Sequence, residues 1–84
     1  MTDILALLAT ITRRDLQTRD SVVFAAERFA AGLLGLNMSA PALDEAIVTG
    51  ATSITTRRAM GYTEDEARHL GRLFRVHALR WLLN

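Results

Sequence analysis

The chain has no cysteine and no lysine, a single proline, and few aromatic residues: one tryptophan, one tyrosine and three phenylalanines among 84 residues. Without cysteine there is no disulfide, no thiol nucleophile and no zinc–thiolate site. All ten basic residues are therefore arginine. That fits a need for forked, bidentate donors, but coding bias in a G+C-rich bacterial genome is the simpler reading. Charge of either sign is also scarce in net terms. Ten basic residues face nine acidic ones, for a formal net charge of +1, too balanced for the whole surface to attract nucleic acid or membrane.

No stretch of about 18 residues is uniformly apolar, so no membrane span is expected. The opening MTDILALLATITRR has the charges of a signal peptide in the wrong order, acid before the apolar run and arginines after it. The expectation is a cytoplasmic protein.

Groups that do chemistry are missing too. There is no glycine-rich phosphate loop and no supported pair of carboxylates. The three serines, Ser21, Ser39 and Ser53, each stand where a helix cap is wanted. His69 and His77 lie eight residues apart on one helix, about 12 Å of axial rise, too far to share a metal ion. His69 with Asp65 reads as a surface ion pair. No enzyme, no cofactor and no metal are expected.

What is present is helix. Hydrophobic residues make up 50% of the chain, much of it alanine and leucine, which favour helix. Thr63–Leu83 reads as one long C-terminal helix. Thr63 and Glu66 form a capping box, acids fill the first turn, and Glu64 to Arg68 is an i,i+4 pair in the favourable order. Ala67, Leu70, Gly71, Phe74, Ala78, Trp81 and Leu82 then form one apolar stripe. Gly71, costly inside a helix, marks a close approach of another backbone.

Upstream, Met1–Arg14 reads as a short amphipathic helix turning Ile4, Leu7, Leu8 and Ile11 inward. A second helix is capped by Asp20 or Ser21, carries the stripe Val22, Ala26, Phe29, Leu33 and Leu36, and ends near Gly32 or Gly35. Ser39 caps a third, about Ala40–Thr49, with Pro41 in its first turn. Leu43, Ala46 and Ile47 face inward and Gly50 ends it. Thr52 or Ser53 caps a fourth, ITTRRAM, running to Gly61 with Ile54, Ala51 and Met60 inward. The expectation is an all-α fold: residues 1–84 as a single helical domain, a compact five-helix bundle with a helix-turn-helix-like core and a long C-terminal helix.

One feature of the last helix goes beyond folding. Val76, Leu79 and Leu83 step by three and four and form a second apolar stripe opposite the first. Either the helix is covered on both sides, or this stripe, rimmed by Arg72 and Arg75, meets a partner. Apolar anchors with an arginine rim suit an interface. Arg72, Arg75, Val76, Leu79 and Leu83 are the expected partner-binding residues.

The order VVFAAERFAAG followed by SAPALDEAIVTGATSITTRRAMGYTEDEA, about residues 20–67, resembles the DNA-binding region of TetR-type repressors. There a first helix with alanine and phenylalanine ends at glycine. A short helix with an inward alanine, a glycine turn, a Thr/Ser-rich recognition helix and a capped fourth helix follow. Thr49 and Thr56 stand where that pattern is apolar, and Arg57 and Arg58 where it is aromatic. The resemblance implies a helix-turn-helix fold in which Thr55, Thr56, Arg57 and Arg58 would read DNA, arginine on guanine edges or phosphates and threonine on phosphates or thymine methyls. The acids Glu64, Asp65 and Glu66 close behind, and the low net charge, oppose tight DNA binding.

Two functions follow as expectations. The first is a small regulatory protein, monomer or homodimer, that binds and inhibits a transcription regulator in the manner of an antiactivator. The second is a DNA-binding helix-turn-helix repressor acting as a homodimer.

Overall fold

In the computed structural model, which describes residues 4–55 and 61–83, the backbone is helical with no strand among the described residues. Four α-helices follow in order: α1 Ile4–Ala9, α2 Arg19–Leu34, α3 Ala40–Ser53 and α4 Glu64–Leu83, with a 3-10 turn at Arg13–Leu16 between α1 and α2. The expected helix ITTRRAM is not a separate element at its start. Ile54 and Thr55 continue α3 in a wider turn, and 56–60 lie outside the described residues.

α1 is shorter than the sequence suggests. The Thr10 hydroxyl donates to the Leu7 carbonyl at 2.7 Å, and the N–H groups of Thr10 and Ile11 bond three residues back, to Leu7 and Leu8. These tight bonds close the helix before Arg13 and Arg14, which fall in the 3-10 turn instead. Leu8 and Ile11 are buried, with Ile4 and Leu7 packed beside them.

The link from α1 to α2 is fastened by one carboxylate. Asp15 accepts from the Thr12 N–H at 2.8 Å and from an Arg28 Nη at 3.0 Å, and the same nitrogen reaches the Thr10 carbonyl at 3.2 Å. Burial pushes the Asp15 carboxyl up, but the Thr12 N–H and then the Arg28 guanidinium outweigh it and hold it below the usual aspartate range. A lowered folded pKa means stability that is complete above about pH 4 and is lost as pH falls through the folded value. Asp15→Asn is expected to flatten that acid limb. It should cost about 1–2 kcal/mol at pH 7, measured by urea unfolding across a pH series.

α2 begins earlier than Asp20 or Ser21. Thr18 is the cap: its hydroxyl accepts from the Ser21 N–H at 3.0 Å, and the Ser21 hydroxyl accepts from the Thr18 N–H at 3.1 Å. Such a cap contributes about 1 kcal/mol. Val22, Ala26, Phe29 and Leu33 are buried as their spacing predicts, joined by Ala25 and Ala30. α3 starts as expected, with Ser39 accepting from the Ala42 N–H and Pro41 in the first turn.

Gly50 does not end α3. The helix runs through it to Ser53, so the turn that a helix-turn-helix would place there is helix. Gly50 is buried, and a β-carbon on it would sit 3.0 Å from Phe74 Cε1 and 3.1 Å from Phe29 Cε1. Its smallness admits the two rings, whose centroids are 5.4 Å apart and tilted by 52°. This is where α2, α3 and α4 meet, with Ile47 and Ile54 of the same helix buried around it.

α4 opens as its sequence predicts. Thr63 Oγ1 accepts from the Glu66 N–H at 3.2 Å, although the Glu66 carboxylate takes the Thr63 hydroxyl, not its backbone N–H. Ala67, Gly71, Phe74 and Ala78 are buried along one stripe, flanked by half-buried Leu70, Trp81 and Leu82. α2 and α4 form the principal helix pair, and α3 packs on α4. The Tyr62 hydroxyl donates to the carbonyl of Leu16 at 2.5 Å, supplying a partner to the end of the 3-10 turn.

Candidate functional site

Because α2 covers one long side of α4 and α3 another, α4 keeps an outer strip facing solvent. Val76 is 50% exposed and Leu83 85% exposed on that strip, beside exposed Arg72 and Arg75. Leu79 differs from the sequence expectation. It is half-buried and packs against the core, because its position on the helix lies nearer the edge of the buried stripe than those of Val76 and Leu83. The second apolar stripe is thus two exposed side chains with a core-anchored leucine between them.

The strip borders an open groove between α3 and α4 of about 340 Å³. On the α3 side it is lined by Val48, Ala51, Thr52 and Thr55, and on the α4 side by Arg68, Gly71, Arg72 and Arg75. Its floor is narrow because the helices touch there. A β-carbon on Gly71 would lie 2.4 Å from Thr55 Oγ1 and 3.1 Å from the Ala51 carbonyl oxygen. Above the floor the long arginine side chains stand along one wall and the exposed Val48 along the other. Arg68 is paired with Glu64, whereas Arg72 and Arg75 are in no ion pair among the described residues.

The expected DNA readers are distributed differently. Thr55 donates its hydroxyl to the Ala51 carbonyl at 3.1 Å and lies against Gly71, turned into the helix contact. Thr56, Arg57 and Arg58 lie outside the described residues.

Val48, Ala51, Thr52 and Arg68 were not in the sequence-derived site. A signal for three of them exists: Val48, Ala51, Thr52 and Thr55 step by three, one and three, a single helical face. That face is visible only if the helix passes through Gly50.

Elsewhere, a mostly apolar recess of about 360 Å³ lies at the start of α4 between Tyr62, Asp65, Glu66, His69 and Leu70. His69 is exposed and unpaired with Asp65, and His77 is half-buried. Among the described residues no three His, Asp or Glu side chains are grouped as a metal ion would require. No helix among them is long and apolar enough to cross a membrane. Phe24, 65% exposed on α2, has the Arg28 guanidinium 5.9 Å from its ring centroid, a cation–π contact that partly screens it.

Comparison of the chain with protein-family models, with curated proteins and with solved structures finds no match.

Proposed function

We propose that this protein is a small cytoplasmic regulator, not an enzyme, that acts by gripping another protein, with a transcription regulator as its target and inhibition as the result. The observation that carries the reading is the outer strip of α4. Val76 and Leu83 are exposed there, and Arg72 and Arg75 beside them have no ion-pair partner among the described residues. Aliphatic anchors with arginines at their edge are what protein interfaces use. The choice of a transcription regulator rests on the partial sequence resemblance over about residues 20–67 and on small size.

The test is affinity capture from the native host with the wild type and with Val76→Asp and Leu83→Asp. Both side chains are exposed, so each change is expected to alter stability by less than about 0.5 kcal/mol while abolishing capture. Circular dichroism melting checks the first part. Inhibition is then read as loss of reporter transcription driven by the captured regulator.

The competing reading, a homodimeric DNA-binding repressor of the TetR-like kind, draws support from the row of arginines on α4. Against it stand the inward Thr55 and the acids Glu64, Asp65 and Glu66 at the head of the same helix. Mobility shift with random duplex at low salt separates the two, since phosphate contacts give affinity regardless of sequence.

A further inference from the structure

The groove between α3 and α4 combines three features that bear on what would fill it. Among the described residues its lining carries three cations, Arg68, Arg72 and Arg75, and no acid. In a chain of ten basic and nine acidic residues, that is a local excess of one sign. Arg72 and Arg75 are in no ion pair among the described residues, and a guanidinium binds carboxylate through two parallel N–H donors. Next, the floor and far wall combine small or apolar residues, Gly71, Ala51 and the 40% exposed Val48, with the two threonines Thr52 and Thr55. Finally, the α4 wall of the groove runs from Arg68 to Arg75, a rise of about 10 Å, or about two turns of a second helix, and the exposed Val76 and Leu83 lie farther along the same helix.

We infer that this groove receives an acidic amphipathic helix from the partner protein. The partner helix sets aliphatic side chains over Val48, Ala51 and Gly71, and places Asp or Glu side chains at helical spacing on Arg72 and Arg75. Arg68 exchanges or shares its bond to Glu64. Between two helices, with no exposed strand edge among the described residues, the recognition mode is helix in groove. The inference rests on the protein-binding reading above and adds the partner's chemistry and its seat.

The experiment uses the full chain, labelled with ¹⁵N, and three synthetic helical peptides of about 16 residues. Each has the same leucine stripe, with glutamate, glutamine or lysine on the opposite edge. A random DNA duplex is the fourth probe. Affinity is read by fluorescence anisotropy at about 50 mM and about 500 mM salt, and the seat by amide shifts.

The glutamate peptide is expected to bind at least roughly ten-fold more tightly than the glutamine one, with the margin shrinking at high salt. It should move the amides of Val48, Ala51, Thr55 and Gly71. The double variant Arg72→Glu with Arg75→Glu, both exposed and so expected to stay folded, should reverse the order and prefer the lysine peptide.

Equal affinity for the glutamate and glutamine peptides overturns the inference, and so does no binding of either. Duplex DNA or a second copy of the chain moving the same amides also overturns it. If host capture through Val76 and Leu83 succeeds while charge selectivity is absent, the groove assignment falls and the protein-binding reading stands. If selectivity is present and capture fails, the groove assignment stands and the role given to the Val76 and Leu83 strip falls.

Discussion

Phe74→Ala is expected to remove a large share of the protein's stability. The ring is fully buried, lies against Phe29 and closes over Gly50 at the meeting point of three helices. Truncating a buried phenylalanine costs about 3–5 kcal/mol. A domain of this length holds only about 4–12 kcal/mol in all. Urea unfolding followed by circular dichroism should show the midpoint collapse. Gly50→Ala provides an internal check. In the wild type the added methyl meets both rings at 3.0–3.1 Å, so crowding should offset the gain of about 1 kcal/mol that alanine offers a helix. In the Phe74→Ala background one of those rings is gone, and the same change should stabilise. A double-mutant cycle with no coupling between positions 50 and 74 would show that the rings do not set the need for glycine.

The second large effect is expected at Gly71. Valine there places its β-carbon 2.4 Å from Thr55 Oγ1 and 3.1 Å from the Ala51 carbonyl oxygen. The threonine side chain can rotate away, at the loss of its bond to Ala51. The carbonyl belongs to α3 and moves only with it. Overpacking of this kind costs about 1–3 kcal/mol, occasionally more. It should also spread α3 from α4 and weaken partner capture beyond what the lost stability explains. Gly71→Ala combined with Thr55→Ala removes the shorter contact and should recover part of the stability, whereas Gly71→Ala alone should not. Equal melting temperatures for the single and double variants would sink this account.

How much of this was visible in the sequence depends on whether a residue has one physical meaning or two. Phe74, Ala67 and Ala78 are apolar at helical spacing, and the buried stripe of α4 follows directly. Thr63, followed by acids, marks a helix start, and α4 begins one residue later. Glycine is ambiguous. At Gly71 it marks a close approach, and the Ala51 carbonyl is there. At Gly50 it reads as a stop, yet the helix continues, and two rings from other helices claim the space of a side chain. Both positions ask for the same residue, and only tertiary packing separates the causes. The cap of α2 failed for a related reason: Thr18, Asp20 and Ser21 are all good caps, and Thr18 wins by exchanging bonds with Ser21.

The candidate site was half visible. Arg72, Arg75, Val76 and Leu83 lie on one helix, so their shared face follows from periodicity alone. The opposite wall, from Val48 to Thr55, belongs to another helix, and which helices pair is not written in the spacing of either.

The pairing of α2 with α4 across the intervening α3 also sets the order of events when the chain folds. Phe29 and Phe74 are about 45 residues apart, so bringing them together costs about 3 kcal/mol of chain entropy before their contact returns anything. Single helices form within about a microsecond. The arrival of α4 on α2 is therefore the expected slow step, and truncating Phe29 should slow folding more than it speeds unfolding.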